Sequence, residues 1–143
     1  MAGELESITR RWFEEVWNRG REEAIDEMLA PDCVGHGLKG PDGVEVTSVA
    51  AFKEFYRAFR SAFPDIRIVV EHTISEGDCV TSRCSVTATH TGDGLGFAGT
   101  GRSVAFGGIG IMRVRDGKIV EAWNSFDMLT MFQQLGVGPT LPS

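Results

Sequence analysis

The spacing of apolar residues changes sharply at Pro64. Before it they recur in steps of three and four, the period of helices; after it they alternate, the period of strands, as far as Phe126. Leu5, Ile8, Trp12, Phe13, Val16 and Trp17 form one stripe and predict a helix over 4–19, stopped by Gly20. Ala24, Ile25, Met28 and Leu29 predict a short second helix ended by Pro31, and the glycine-rich residues 30–47 read as a loop. Ser48 suits the N-cap of a third helix carrying Val49, Phe52, Tyr56, Phe59 and Phe63. Beyond Pro64, the series Ile66, Ile68, Val70, His72, Ile74 predicts a strand whose one face includes His72. Glu76-Gly77-Asp78 turns the chain into a second strand, Cys79 to His90. Residues 91–101 hold five glycines and read as a flexible loop. Ser103 to Arg115 and Lys118 to Phe126 are strands joined by Asp116-Gly117, a strong hairpin turn. Asp127 suits the cap of a last helix closed by Gly136, and the tail 137–143 is expected to fray. Helices followed by an antiparallel run of strands make an α+β domain, here one domain over 1–143.

Composition narrows the function. A chain of 143 residues with 42% hydrophobic residues buries a core without staples. Its net charge of −6 and lack of a basic run argue against nucleic acid and anionic membranes as partners. Its apolar stretches are too short to cross a bilayer, and the start MAGELESITRR has no signal-peptide core. Cys79 and Cys84 stand five apart on one strand, on opposite faces and roughly 17 Å apart, so they cannot pair. With Cys33 the count is odd, which points to a reduced, cytoplasmic protein.

Several motifs fail on their context. Gly94-Leu95-Gly96-Phe97-Ala98-Gly99 matches a dinucleotide fingerprint, but a strand follows where the phosphate-binding helix is required. His36, His72 and His90 show no metal-ligand spacing with one another or with the cysteines, so no metal is expected. The informative stretch is 106–127. Phe106, Gly108, Gly110, Met112 and Val114 share one face of their strand, and Val120, Ala122, Asn124 and Phe126 share one face of the next. If the hairpin brings these faces together, a wall of apolar side chains with two gaps surrounds one amide, the pattern of a ligand cavity. The opposite parity places Trp123 over Gly108 and Gly110, and the turn length decides between them. His90 at a strand end, His36 in a glycine-rich loop and Asp127 at a helix start are candidate acid/base groups; the cap role competes for Asp127. His72 reads as a core histidine.

Trp12-Phe13 through Trp17-Asn18-Arg19-Gly20 and Leu29-Ala30-Pro31-Asp32 resemble the opening of SnoaL-like proteins, of the nuclear transport factor two-like superfamily. So do Phe63-Pro64-Asp65, Glu76-Gly77-Asp78, Thr89-His90-Thr91-Gly92 and, most closely, Asp116 to Trp123 with Asp127 and Gln133-Gln134-Leu135-Gly136. The resemblance implies a cone: a curved antiparallel sheet wrapped on helices around a pocket, often dimerising through the back of the sheet. It favours the parity that turns Asn124 inward. It implies a polyketide or ester cyclase, closing a ring by aldol condensation without metal or organic cofactor. That chemistry needs a base alpha to a carbonyl and donors for the enolate oxygen. The family's catalytic Asp falls one residue after the Trp of Glu-x-Trp, where this chain has Asn124, and a histidine of some cyclases matches Gly110.

Two readings follow, beside a third in which the sheet's outer face serves as a protein scaffold. The first is a cyclase or isomerase acting on a small, apolar, polyketide-like carbonyl compound. His90 or His36 would be its base, Asn124 would orient the carbonyl, and Phe106, Met112, Trp123 and Phe126 would line the site with the two glycines. The second is a binding module that uses the same cavity without chemistry, since an amide takes no proton at neutral pH.

Overall fold

The computed structural model describes residues 2–40 and 42–138, so the predicted fraying of the last five residues lies outside the described residues. Helix α1 (Ala2–Arg11) passes without a break into a π-helical turn and a half (Trp12–Asn18), where the Arg19 N–H reaches back five residues to the Glu14 carbonyl. Trp12, Phe13, Val16 and Trp17 all face inward from this wider winding. Asn18 fastens its end to the sheet: its amide donates to the Ile68 carbonyl at 2.9 Å and accepts from the Ile68 N–H at 2.6 Å. Helix α2 (Glu23–Met28) stops before Pro31, and strand β1 (Leu29–His36) occupies part of the predicted loop. Helix α3 (Val49–Ala62) starts as expected, with the Ser48 hydroxyl accepting from the Ala51 N–H.

Strands β2 (Arg67–Glu76), β3 (Cys79–Thr89), β4 (Ser103–Arg115) and β5 (Lys118–Phe126) follow, then helix α4 (Met128–Leu135). The sheet order is β1-β5-β4-β3-β2, antiparallel except that β1 runs parallel to β5. The sheet therefore has one more strand than the alternation predicts. Pro31 and Gly35 mask β1 in the sequence, yet an edge strand tolerates both, because one side of its backbone bonds nothing in the sheet. Curved and closed on one side by α1 to α3, this mixed α+β sheet is the cone expected from the resemblance.

Two expectations are corrected here. A bulge between Val70 and His72 flips the parity of β2, so His72 is exposed and pairs with Arg83 on the outer face; it is no core histidine. The loop 91–101 is held rather than flexible. The Gly101 N–H donates to the His90 carbonyl and the His90 N–H to the Arg102 carbonyl, closing its neck. Gly92 and Gly94 press on α3 so closely that a Cβ at either would collide with the carbonyl oxygens of Ser61 and Ala58.

Candidate functional site

The β4–β5 hairpin places the site. Its two-residue turn has both residues in the left-handed region, Asp116 at φ 51° and Gly117 at φ 76°, which the right-handed twist of a hairpin favours. Arg115 pairs with Lys118 and Val114 with Ile119. Continued unchanged, that register would bring Trp123 opposite Gly110. It does not continue: Arg113 pairs with Glu121, so β5 holds one extra residue, Val120. Beyond this bulge Met112 faces Ala122, Gly110 faces Asn124 and Gly108 faces Phe126. Ala122, Asn124 and Phe126 thus turn inward together, as one of the two parities required. Ile119 faces inward in place of Val120, which corrects the face assigned to that residue.

Above this floor lies a cavity that opens to solvent. Phe106, Met112, Ile119, Ala122, Asn124 and Phe126 line the sheet side. The opposite wall is aromatic: Trp12 and Trp17 pack on Phe52 at 5.5 and 6.2 Å between ring centres, and Phe55 stacks on Phe59 at 5.5 Å. Leu38 and Val46, from the segment joining β1 to α3, close one side. A second recess, bordered by Leu95, Met131 and Phe132, shares Leu38, Phe55, Phe59, Phe126 and Met128 with the first and adjoins it. Besides Trp12 and Trp17, each with an indole N–H, the lining contains three polar side chains, Asn124, Ser48 and Cys33. Ser48 is engaged as the α3 cap, and burial pushes the Cys33 thiol up to about 11, so it stays protonated at neutral pH. Asn124 Nδ2 donates to the His36 carbonyl at 3.3 Å. The chain passes so close there that a Cβ on Gly37, itself at φ 89°, would overlap the Asn124 carbonyl oxygen.

The sequence matches the family model for the SnoaL-like polyketide cyclase over residues 7–135. The chain belongs to the SnoaL-like family. Among curated proteins none matches it. Among solved structures, AclR, a candidate hydroxylase of Streptomyces galilaeus, is 30% identical over 100% of this chain and 87% of its own, with a TM-score of 0.85. IdmH, a candidate polyketide cyclase of Streptomyces antibioticus, is 31% identical over 93% of this chain and 99% of its own, with a TM-score of 0.79. A candidate polyketide cyclase of Bacillus cereus is 31% identical over 95% and 83%, with a TM-score of 0.78.

The residues singled out in the sequence of this SnoaL-like chain separate into four places. Phe106, Met112, Asn124 and Phe126 meet at the cavity. Gly108 lies under Phe126, whose ring occupies the space a Cβ would need, and Gly110 lies beside Asn124. Trp123 and His36 are on the outer face, stacked on each other at 5.4 Å. There His36 Nε2 lies 2.8 Å from Glu121 Oε2, and Arg113 binds the other Glu121 oxygen at 2.9 Å while lying over the Trp123 ring. His90 is fully buried at the neck of the 91–101 loop, between Phe63 and Phe97, with Nδ1 accepting from the Thr100 N–H at 3.1 Å. Asp127 caps α4, accepting from the Thr130 N–H and hydroxyl, and those bonds hold its carboxyl below the usual range. Trp123, His36, His90 and Asp127 therefore line neither recess.

Trp12, Trp17, Phe52, Phe55 and Phe59 line the cavity but were not singled out as site residues. Helical spacing marks such a stripe as buried without saying whether it meets protein or ligand. Leu38 and Val46 carried no signal, because only the chain path from β1 to α3 brings them over the sheet. Among the described residues no three His, Cys, Asp or Glu side chains gather as a metal site, and no helix is long and apolar enough to cross a membrane.

Proposed function

We propose that this protein receives an apolar, polyketide-like ring compound in its cavity and orients it through Asn124, with no side-chain base acting on it. The observation that carries this reading is the chemistry of the lining: aromatic and aliphatic walls, one amide with a free oxygen, and neither carboxylate nor imidazole. A ring compound transfers to such walls from water at about 25 cal/mol per Å² of apolar surface buried. The amide fixes its orientation, because it satisfies one polar group and leaves no charge unpaired.

Family membership favours a second reading, an aldol-type cyclase or isomerase working by proton abstraction. Its base would have to reach the cavity, and His36 is the nearest candidate by chain path, since its carbonyl already touches Asn124. Proton NMR of 2-tetralone in D2O, with and without the protein, separates the two readings. Binding without faster exchange of the protons alpha to the carbonyl supports the first. Exchange well above buffer, lost in His36→Ala, replaces it with the second.

The outer face of the sheet is the proposed seat of a second copy of this chain. The row His36, Trp123, Ile111, Thr81, Ile74 crosses all five strands there, and Ile74 and Ile109 are largely exposed. Light scattering on Ile109→Asp is the test: a dimer becomes a monomer, and an unchanged mass rejects this face as the interface.

A further inference from the structure

The wide winding of residues 12–18 decides where two indoles point. Trp12 and Trp17 stand five apart in the chain. In an α-helix that spacing leaves two side chains about 140° apart around the axis. Here the chain is π-helical from Trp12 to Asn18, and the Arg19 N–H donates to the Glu14 carbonyl, five residues back. Residues five apart then stand nearly in line along the axis. Both rings accordingly pack on one partner, Phe52, and both line the cavity on the wall opposite the sheet. A π-helical turn is rare, and it recurs at functional sites.

Each indole carries one N–H donor and no acceptor. Both side chains are more than nine-tenths buried, yet neither N–H has an acceptor among the described residues. Nor is either nitrogen sealed off, because the one sealed side-chain nitrogen or oxygen without a partner among those residues is His90 Nε2. Phe52 and Phe59, the cavity residues packed on Trp17, offer no acceptor. A nearly buried donor left unmatched is unfavourable, so an acceptor supplied from the cavity gains what the protein does not provide.

We propose that Trp12 and Trp17 present a pair of donors to the cavity, and that the group they take is the carbonyl oxygen of an aryl ketone or quinone. Such an oxygen has two lone pairs and no hydrogen, and can accept from both indoles. A hydroxyl matches the pair less well, because its own hydrogen would face aromatic rings. Asn124 lines the sheet side of the same cavity, so the ring compound is held from both walls. The inference rests on the reading of the cavity as a site for an apolar ring compound and names a group that such a compound carries.

Equilibrium dialysis of the whole protein against 1-tetralone and tetralin, one ring system with and without the oxygen, tests the pair. Trp12→Phe with Trp17→Phe keeps an aromatic ring at each place and removes both donors. The double variant should bind 1-tetralone about tenfold more weakly relative to tetralin, and either single variant about threefold. In infrared difference spectra the carbonyl stretch of bound 1-tetralone should rise from the unaltered protein to the double variant, a change that a merely structural role would not bring about. Should the variants not fold, proton NMR of the unaltered protein decides. Of its three indole N–H signals, those of Trp12 and Trp17 should lie further downfield with 1-tetralone than with tetralin, and that of Trp123 should not move. Equal weakening of the two probes, an unchanged carbonyl stretch, or indole signals alike with both probes overturns the donor pair and leaves the cavity reading standing. Failure of both probes to bind overturns both.

Discussion

Asn124 and Trp123 are neighbours in the chain and belong to opposite worlds. Asn124 opens into an apolar cavity with one hydrogen bond to a backbone carbonyl. Trp123 lies on the outer face, sandwiched by His36 and Arg113 in a network that also holds Glu121 and Asp78. The inner face is poor in partners for its few polar atoms, and the outer face is rich in them. The difference teaches that a single extra residue, Val120, sorts the pair: were it paired with Arg113 instead of bulged, the two would exchange faces.

The strongest way to break this contrast is to insert one alanine between Val120 and Glu121. With the bulge still holding one residue, the register beyond it moves by one and drives Trp123 into the cavity against Gly110. A loss on the order of 4 kcal/mol or more in urea unfolding is expected, with loss of ring-compound binding. Retained stability would mean that the bulge can take up the second residue.

Two isoleucines sharpen the contrast next. Ile119 is fully buried on the inner face and Ile109 is 49% exposed on the outer one. Ile119→Ala should cost about 2–5 kcal/mol by urea denaturation, and Ile109→Ala no more than about 0.5 kcal/mol in the monomer. Comparable losses would show that the outer face is covered.

The cysteines report the same division by reactivity. Cys33 lines the cavity with its thiol pushed up to about 11, whereas Cys79 lies half-exposed at the outer end of β3 with its thiol raised by burial and by its bond to Asp78. Iodoacetamide at pH 8 should modify Cys79 first, by about tenfold, with Cys33 following only as the pH rises. A bound ring compound should protect Cys33 alone, as mass spectrometry of tryptic peptides would show. Because the folded pKa of Cys33 is the raised one, its contribution is complete below the ordinary thiol value. Stability then declines from about pH 8.5 upward, as the unfolded chain loses the proton first.

The smallest effect belongs to the outer network. Glu121→Gln removes the carboxylate shared by His36 and Arg113, both partly exposed. It should change stability by no more than about 1 kcal/mol and leave cavity binding untouched. A loss of binding would couple the two faces through β5.

The helical half was legible because its signals are local. Ser48 and Asp127 cap their helices and Gly136 closes the last one in the left-handed conformation, as their residue types require. The cavity floor was legible to within one choice of parity. Strand β1 was not, since an edge strand tolerates the Pro and Gly that punctuate loops. His72 misled because alternation assumes an unbroken pleat, and a bulge breaks it. His36, His90 and Asp127 show that a titratable side chain beside a glycine-rich segment tells little about its surroundings. One joins a surface ion network, one closes a loop and one caps a helix.

By itself, the sequence determined the helices and four of the five strands, their order, the family and most of the apolar face that would be buried, because periodicity, caps and turn residues act within a few positions of the chain. Which neighbour on β5 looks into the cavity was decided by pairing between strands. A register is a property of two strands at once, and one unpaired residue reverses the face of every side chain beyond it.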